Sequence, residues 1–249
     1  LLAYLKHVVP INARRSTKVA VVSRTTRIDV VERYNIPVER VVVIPNAADD
    51  RFFTAQPLNK ARRTELGVPD DYVLTVGTIE PRKNYRTLLE AQRRAFETTR
   101  RPLVVVGRSG WQNQVEMKLL GELVESGAAL SLLNASDEDL PGLYAGARAV
   151  IYVPRYEGFG LPVLEAMASG APVITSDIPS VKEIAAGYAT VVSPDSTEQI
   201  AGALEAVGND SLDQIALRRK AAAQYSWSRS STILQETLHA IAIQPSNRR

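Results

Sequence analysis

Val153-Pro-Arg-Tyr-Glu157-Gly-Phe-Gly160-Leu-Pro-Val-Leu-Glu165-Ala-Met-Ala-Ser-Gly170 is the stretch that decides how this chain of 249 residues is read. The aliphatic run Arg148 to Val153 that leads into it has the character of a buried strand. Gly158 and Gly160 mark a loop in which the backbone can approach a ligand closely. Pro162 falls in the first turn of a helix, where its missing N–H leaves no bond unmade. A strand, a glycine loop and a helix in that order make one β-α unit, whose helix N-terminus attracts anions. Glu165 lies about one turn inside that helix, under the pocket that Glu157 borders from the loop.

The same alternation extends in both directions. Runs rich in β-branched residues occur at Lys18 to Ser23, Val41 to Ile44, Tyr72 to Gly77, Leu103 to Gly107, Ala129 to Leu133, Pro172 to Ser176 and Ala189 to Ser193. Helical spacing separates them: Leu88, Ala91 and Ala95 share one face, and so do Val115, Leu119 and Leu123. Ser196 with Gln199 reads as a capping box before Ile200, Leu204 and Val207. From about Tyr72 to Asn209 the series is unbroken, so an α/β fold with a doubly wound, Rossmann-like parallel sheet is expected, with ligands at the carboxyl ends of its strands. The predicted division is residues 1–50 as the tail of a second Rossmann-like domain, 51–225 as the main domain and 226–249 as a terminal helix. Arg51 to Asp71 reads as a polar linker with one short helix. Ser226 is the expected N-cap of the terminal helix, which carries Trp227, Leu234, Leu238 and Ile241, with Gln244 to Arg249 frayed.

Composition limits the function classes. The absence of cysteine removes disulfides, thiol nucleophiles and thiolate metal sites. The 30 Lys and Arg residues are scattered against 27 Asp and Glu, a net charge of only +3 that disfavours nucleic acid as the main partner. An isoelectric point near 9.2 keeps anionic ligands and anionic membrane surfaces open. No apolar run approaches the roughly 18 residues that span a bilayer. A cytoplasmic protein that touches a membrane at most peripherally is expected. Leu1 stands where a start methionine would, and the opening stretch reads as mid-domain sequence.

A second motif, Thr75-Val-Gly77-Thr-Ile-Glu-Pro-Arg82-Lys83-Asn84, is a strand, a glycine turn and two adjacent cations, followed by an Asn placed to cap the next helix. Arg presents a planar fork and Lys a mobile point charge, and together they can clamp a diphosphate. Two acids eight residues apart, such as Glu157 and Glu165, arise by chance in any chain this acidic. The strand, glycine loop and helix around them supply the specificity.

At these residues the chain resembles the carboxy-terminal, donor-binding half of the retaining GT-B glycosyltransferases of family 4, the glycosyl transferases group 1. Val41 to Asn46, Val106 to Trp111, Asp137 to Tyr144 and Ser226-Trp227 are similar to further segments of that family in order and spacing. The resemblance implies that Glu157 and the backbone of Gly158, Phe159 and Gly160 face the donor sugar and phosphates, with Gly77 and Leu161 in the same donor site. It implies that Glu165 accepts hydrogen bonds from ribose, and that Arg82 and Lys83 hold the diphosphate leaving group without a metal. The donor is then a nucleotide diphospho-sugar, used as substrate, with no further cofactor. The implied activity moves a hexose, often mannosyl, with retention to a glycan or lipid-linked acceptor in polysaccharide biosynthesis, by front-face attack. Membrane contact would run through the amino-terminal domain. The chain departs from the family pattern at Ala47, at Asn134 and at Lys182-Glu183.

Other readings stay open beside this one. A chain with only the donor half can bind donor without turnover. Gly158-Phe-Gly160-Leu-Pro-Val163 resembles a dinucleotide fingerprint, but Val163 stands where a third small residue belongs, which makes an NAD-dependent oxidoreductase the weaker alternative. Asp137-Glu-Asp139 has the form of a metal-binding Asp-x-Asp, yet it follows Ser136 at a helix start, where acids are stabilised by the dipole. No metal site is expected, His7 and His239 read as surface residues, and Trp111 fits a pocket mouth or the core.

Overall fold

The computed structural model describes residues 2–133, 135–208 and 210–243. The departure at Asn134 and the fraying of Gln244 to Arg249 lie outside the described residues. The chain begins with α1 (Leu2–Arg15), β1 (Val19–Val21), α2 (Arg24–Tyr34) and β2 (Val41–Val43), then α3 (Asp50–Phe53) and α4 (Lys60–Leu66). It continues through β3 (Val73–Val76), α5 (Tyr85–Thr99), β4 (Leu103–Val106), α6 (Gln114–Glu125), β5 (Ala129–Leu132), α7 (Leu140–Gly146) and β6 (Ala149–Tyr152). It closes with α8 (Leu161–Ser169), β7 (Val173–Ser176), α9 (Pro179–Ala185), β8 (Thr190–Val192), α10 (Thr197–Glu205), α11 (Leu212–Ala222) and α12 (Trp227–Ile243). Every one of these strands falls inside a run picked out from the sequence.

The described residues up to Ala47 and from Tyr225 onward form one compact unit, and Ala48–Gln224 form another. In the first, β1 and β2 pair in parallel with Val19 opposite Val41, around a small core of Val21, Ile36 and Val41. Ser226 Oγ accepts the Arg229 N–H at 3.2 Å and so caps α12, while Ser230 Oγ donates to the Pro45 carbonyl at 2.6 Å. Trp227, Leu234 and Leu238 remain exposed along that helix.

The second unit is built on a six-stranded sheet in the order β5-β4-β3-β6-β7-β8, parallel throughout. Counted from its own first strand this is the 3-2-1-4-5-6 order of a doubly wound fold. β4, β6 and β7 are buried along their whole length, which is why β4 and β6 read as apolar runs, while β7 ends in Thr175 and Ser176, whose hydroxyls donate to the Tyr152 and Pro154 carbonyls. Leu88, Leu89, Ala91 and Ala95 of α5 pack on one face together with Ile200 and Leu204 of α10. Each fully buried leucine contributes roughly 1.5–3 kcal/mol. Winding reverses between the neighbours β3 and β6, and this reversal decides where a ligand site can form.

Three local expectations are corrected. The segment predicted as a polar linker carries two helices, α3 capped by Asp49 and α4 capped by Asn59, and it belongs to the second unit. Phe52 is buried there, meeting the Tyr144 ring edge to face at 5.4 Å, and a lone apolar anchor of that kind leaves no period to read. Val115 is exposed, because α6 turns Leu119, Leu120 and Leu123 inward instead. Ser196 Oγ does accept the Gln199 N–H, but Gln199 Oε1 accepts from Ser193 N, so the box is half made. The complete capping box is Ser211 with Gln214 at the start of α11.

Candidate active site

The loops after β3 and β6 leave the sheet on either side of the winding reversal, and both predicted motifs lie on them. After β3 the chain turns at Gly77, whose carbonyl accepts from Tyr85 Oη at 2.7 Å, and a short 3-10 turn, Pro81–Lys83, then presents the two cations. Gly107, at the end of β4, packs so tightly on this turn that a Cβ there would stand 2.0 Å from the Gly77 carbonyl oxygen. After β6, the Arg155 N–H donates to the Arg82 carbonyl at 3.0 Å, which ties the second loop to the first. Gly160 has φ 104° and begins α8 with no side-chain cap, and a Cβ there would meet Val181 at 2.7 Å.

Arg82, Lys83 and Glu157 converge. Glu157 Oε2 accepts from Arg82 Nη1 at 2.9 Å and from Lys83 Nζ at 2.6 Å. Arg82 Nη2 also pairs with Glu80 Oε1 at 2.7 Å, and Glu80 Oε2 accepts from the Trp111 indole N–H at 3.0 Å. Trp111 is therefore an exposed hydrogen-bonded residue, correcting the core alternative. Burial works to raise the Glu157 pKa, but hydrogen bonds from Lys83 and Tyr152 and the charges of Lys83 and Arg82 outweigh it and hold the carboxyl below its usual range.

Sequence reasoning missed Tyr152. It ends β6 with its ring buried, and its hydroxyl touches both Lys83 Nζ at 2.5 Å and Glu157 Oε2. It lies within the run Arg148 to Val153, which has the character of a buried strand, and nothing in the sequence marks its hydroxyl as reaching out of the core.

Asn84 corrects another expectation. It occupies the N-cap position of α5 at φ 62°, but its side chain caps nothing. Nδ2 donates to the Val153 and Pro194 carbonyls at 3.0 and 2.7 Å, and Oδ1 accepts from Thr87 and Arg155. The residue thus pins the loops after β6 and β8 to the start of α5.

Glu165 stands apart from the cation cluster. Its Oε2 accepts from Tyr144 Oη at 2.8 Å, and burial first, then the Asp49 charge, raises its pKa despite that hydrogen bond. Phe159 is buried, while Gly158 and Leu161 are half-buried. The Ser180 hydroxyl donates to the Glu157 carbonyl at 2.6 Å, which fixes the loop in front of them.

Beside Gly77, at the carboxyl ends of β3, β4 and β5, lies a cleft of 340 Å³ lined by Thr78, Gly107, Arg108 and Ser136 among others. A larger cavity of 470 Å³ at the amino-terminal edge of the sheet, next to Arg148 and Arg219, carries none of the predicted residues. Asp139 of the Asp-x-Asp is claimed by Arg62 through a two-pronged pair at 2.8 and 2.7 Å and by Ser136. The Arg62 hydrogen bond, ahead of opposing burial, holds its pKa at about 2. Among the described residues no group of three or more His, Cys, Asp or Glu is placed to hold a metal ion. His7 and His239 are exposed. No helix among the described residues is long and apolar enough to cross a membrane.

The sheet is doubly wound, with two cations and a carboxylate at its winding reversal, and the sequence pattern of the glycosyl transferases group 1 matches residues 59–225. The chain belongs to that family. It is 36% identical over 219 residues to O-antigen chain mannosyltransferase B of Escherichia coli, covering 85% of this chain and 57% of that protein. It is 28% identical over 202 residues to O-antigen chain mannosyltransferase RfbU of Salmonella typhimurium, covering 81% of this chain and 54% of that one. The chain thus spans a little over half the length of these relatives. The Anabaena HepE structure in complex with UDP and glucose superposes with a TM-score of 0.77 at 21% identity, over 97% of this chain and 67% of that one. A glycosyltransferase from Rickettsia africae superposes at 0.79 with 18% identity, over 96% of this chain and 68% of that one. The shared fold is the GT-B type.

Proposed function

We propose that this chain supplies the donor site of a retaining hexosyltransferase that takes its sugar from a nucleotide diphospho-sugar and passes it to a glycan or lipid-linked acceptor. The observation that carries the reading is the convergence of Arg82 and Lys83 on Glu157 at the β3/β6 reversal. Cleaving the donor builds negative charge on the diphosphate and positive charge on the sugar. Cations that the fold brings to the reversal, together with the start of α8 after Gly160, stabilise the first. Glu157 orients the sugar, and Glu165 takes the ribose hydroxyls. The cleft beside Gly77 receives the nucleotide, with the backbone of Gly158 to Leu161 against the donor. Names of the relatives favour a mannosyl group and surface-polysaccharide acceptors.

The roles need no metal, since two side-chain cations do the work assigned to one. No side chain in the cluster is placed as an uncommitted nucleophile, because Glu157 Oε2 is engaged by three donors and Oε1 by the Gly158 N–H; this supports front-face attack by the acceptor. Incubating the chain with nucleotide-mannose donors and a mannosylated acceptor tests the reading. Retained stereochemistry in the product is the expected result, and an inverted product or a trapped glycosyl-enzyme contradicts it. Because the chain spans only part of its relatives, a second reading holds that it binds donor without turnover. Donor binding with no transfer would favour that one.

A further inference from the structure

We propose that Tyr152 is a positioning residue of this site, whose hydroxyl keeps the Glu157 carboxylate in place while Arg82 and Lys83 exchange it for the diphosphate of the donor. The inference rests on the donor-site reading above and adds a residue to it.

One oxygen, Glu157 Oε2, faces Arg82 Nη1, Lys83 Nζ and the Tyr152 hydroxyl. The charges balance: Arg82 and Lys83 stand against Glu80 and Glu157. A diphosphate entering this cluster competes for the same cations. Both cations can follow it, because they sit at the ends of flexible stems and donate equally well to carboxylate or phosphate oxygen. The Arg82 side chain is 39% exposed, so its guanidinium has room to turn.

Tyr152 has no such freedom. Its residue is 3% exposed, and the ring is fixed at the end of β6 in the middle of the sheet. A hydroxyl carries one proton, and an ammonium can only donate, so Lys83 Nζ gives a hydrogen bond to the phenol oxygen and the phenol proton must point at Glu157. Burial, and then the charge of Glu157, raise the Tyr152 pKa, so the group stays a donor throughout the neutral range. When the cations leave, the carboxylate would otherwise lose every hydrogen bond that the cluster gives Oε2. Tyr152 supplies the one that does not depend on the donor.

Tyr152→Phe removes one oxygen and keeps the ring. In the unliganded chain, the Glu157 carboxyl titration followed by carbon-13 NMR is expected to move to higher pH in the variant, and an unchanged titration overturns the proposal. That readout does not require transfer, so it decides the point even if no donor binds and the donor-site reading falls. Where transfer is measured, kcat is expected to fall about tenfold or more, the size of a hydrogen bond to a charged group, with nucleoside diphosphate affinity within about twofold of the parent. Equal losses in kcat and in nucleoside diphosphate affinity would mean lost ring packing and would contradict the assignment. In a Glu157→Gln background the same substitution should cost little more, whereas fully additive effects would show that Tyr152 does not act through Glu157.

Discussion

Lys83 Nζ and Glu157 Oε2 lie 2.6 Å apart although the residues are 74 positions apart in sequence. One stands after β3 and the other after β6, so the contact exists only because those two strands are neighbours across the winding reversal. In the function proposed above, this cation and carboxylate would turn to the two halves of a donor, the diphosphate and the sugar.

Removing the cation is expected to cost rate more than fold. Lys83→Met should lower the transfer rate roughly 10²–10³-fold, the range for losing one preorganised electrostatic donor. Steady-state kinetics check it, and a rate within about twofold of the parent would remove Lys83 from the chemistry.

The two glutamates should respond to pH in opposite senses. Glu157 has a depressed folded pKa, so its stabilising contribution is present above the unfolded value of about 4.3 and disappears as pH falls through the lower folded value. Glu165 has a raised one, so its contribution is full below that unfolded value and is lost as pH rises through the folded value. Glu165→Gln should therefore raise the melting temperature of the empty chain at neutral pH while reducing the stabilisation given by nucleotide-sugars. Thermal melts at pH 4, 5.5 and 7, with and without ligand, read both effects.

Asp139 tests the metal question. Its side chain is 8% exposed and pairs with Arg62, which is 35% exposed. Arg62→Ala leaves the Asp139 carboxylate with the Ser136 hydroxyl as its side-chain partner and should lower stability. Urea unfolding measures this. A chelator should leave donor binding unchanged, whereas a strict dependence on Mg²⁺ or Mn²⁺ would reopen the Asp-x-Asp as a site.

Gly107→Ala should destabilise by roughly 2–4 kcal/mol, since its Cβ would overlap the Gly77 carbonyl and the strand end must move. Because Gly77 shapes the cleft, nucleotide affinity should fall along with stability, and calorimetry on the variant checks both.

The fold was legible where burial imposes a period or a run. β4 and β6 are buried on both faces, so their sequences are apolar along their length, and the glycine loops punctuate them. The cation and glutamate motifs were legible because loops at strand ends carry residues that packing alone would not choose. Side-chain reach was not legible. Asn84 stands where a cap belongs yet spends its amide on Val153 and Pro194, contacts set by strands distant in sequence. Tyr152 looked like core because its ring is core, and only the hydroxyl leaves it. Phe52 and the Arg62 to Asp139 pair turn a polar-looking segment into a packed part of the second unit, through partners that no local pattern announces.

The most direct test is binding of the donor itself. UDP-, GDP- and ADP-sugars, with NAD alongside, should be titrated against the chain by thermal shift, with Glu165→Ala as the paired variant. One nucleotide-sugar is expected to raise the melting temperature in a concentration-dependent way, an effect weakened in the variant, with no response to NAD. No shift with any nucleotide-sugar, or a shift with NAD alone, would contradict it.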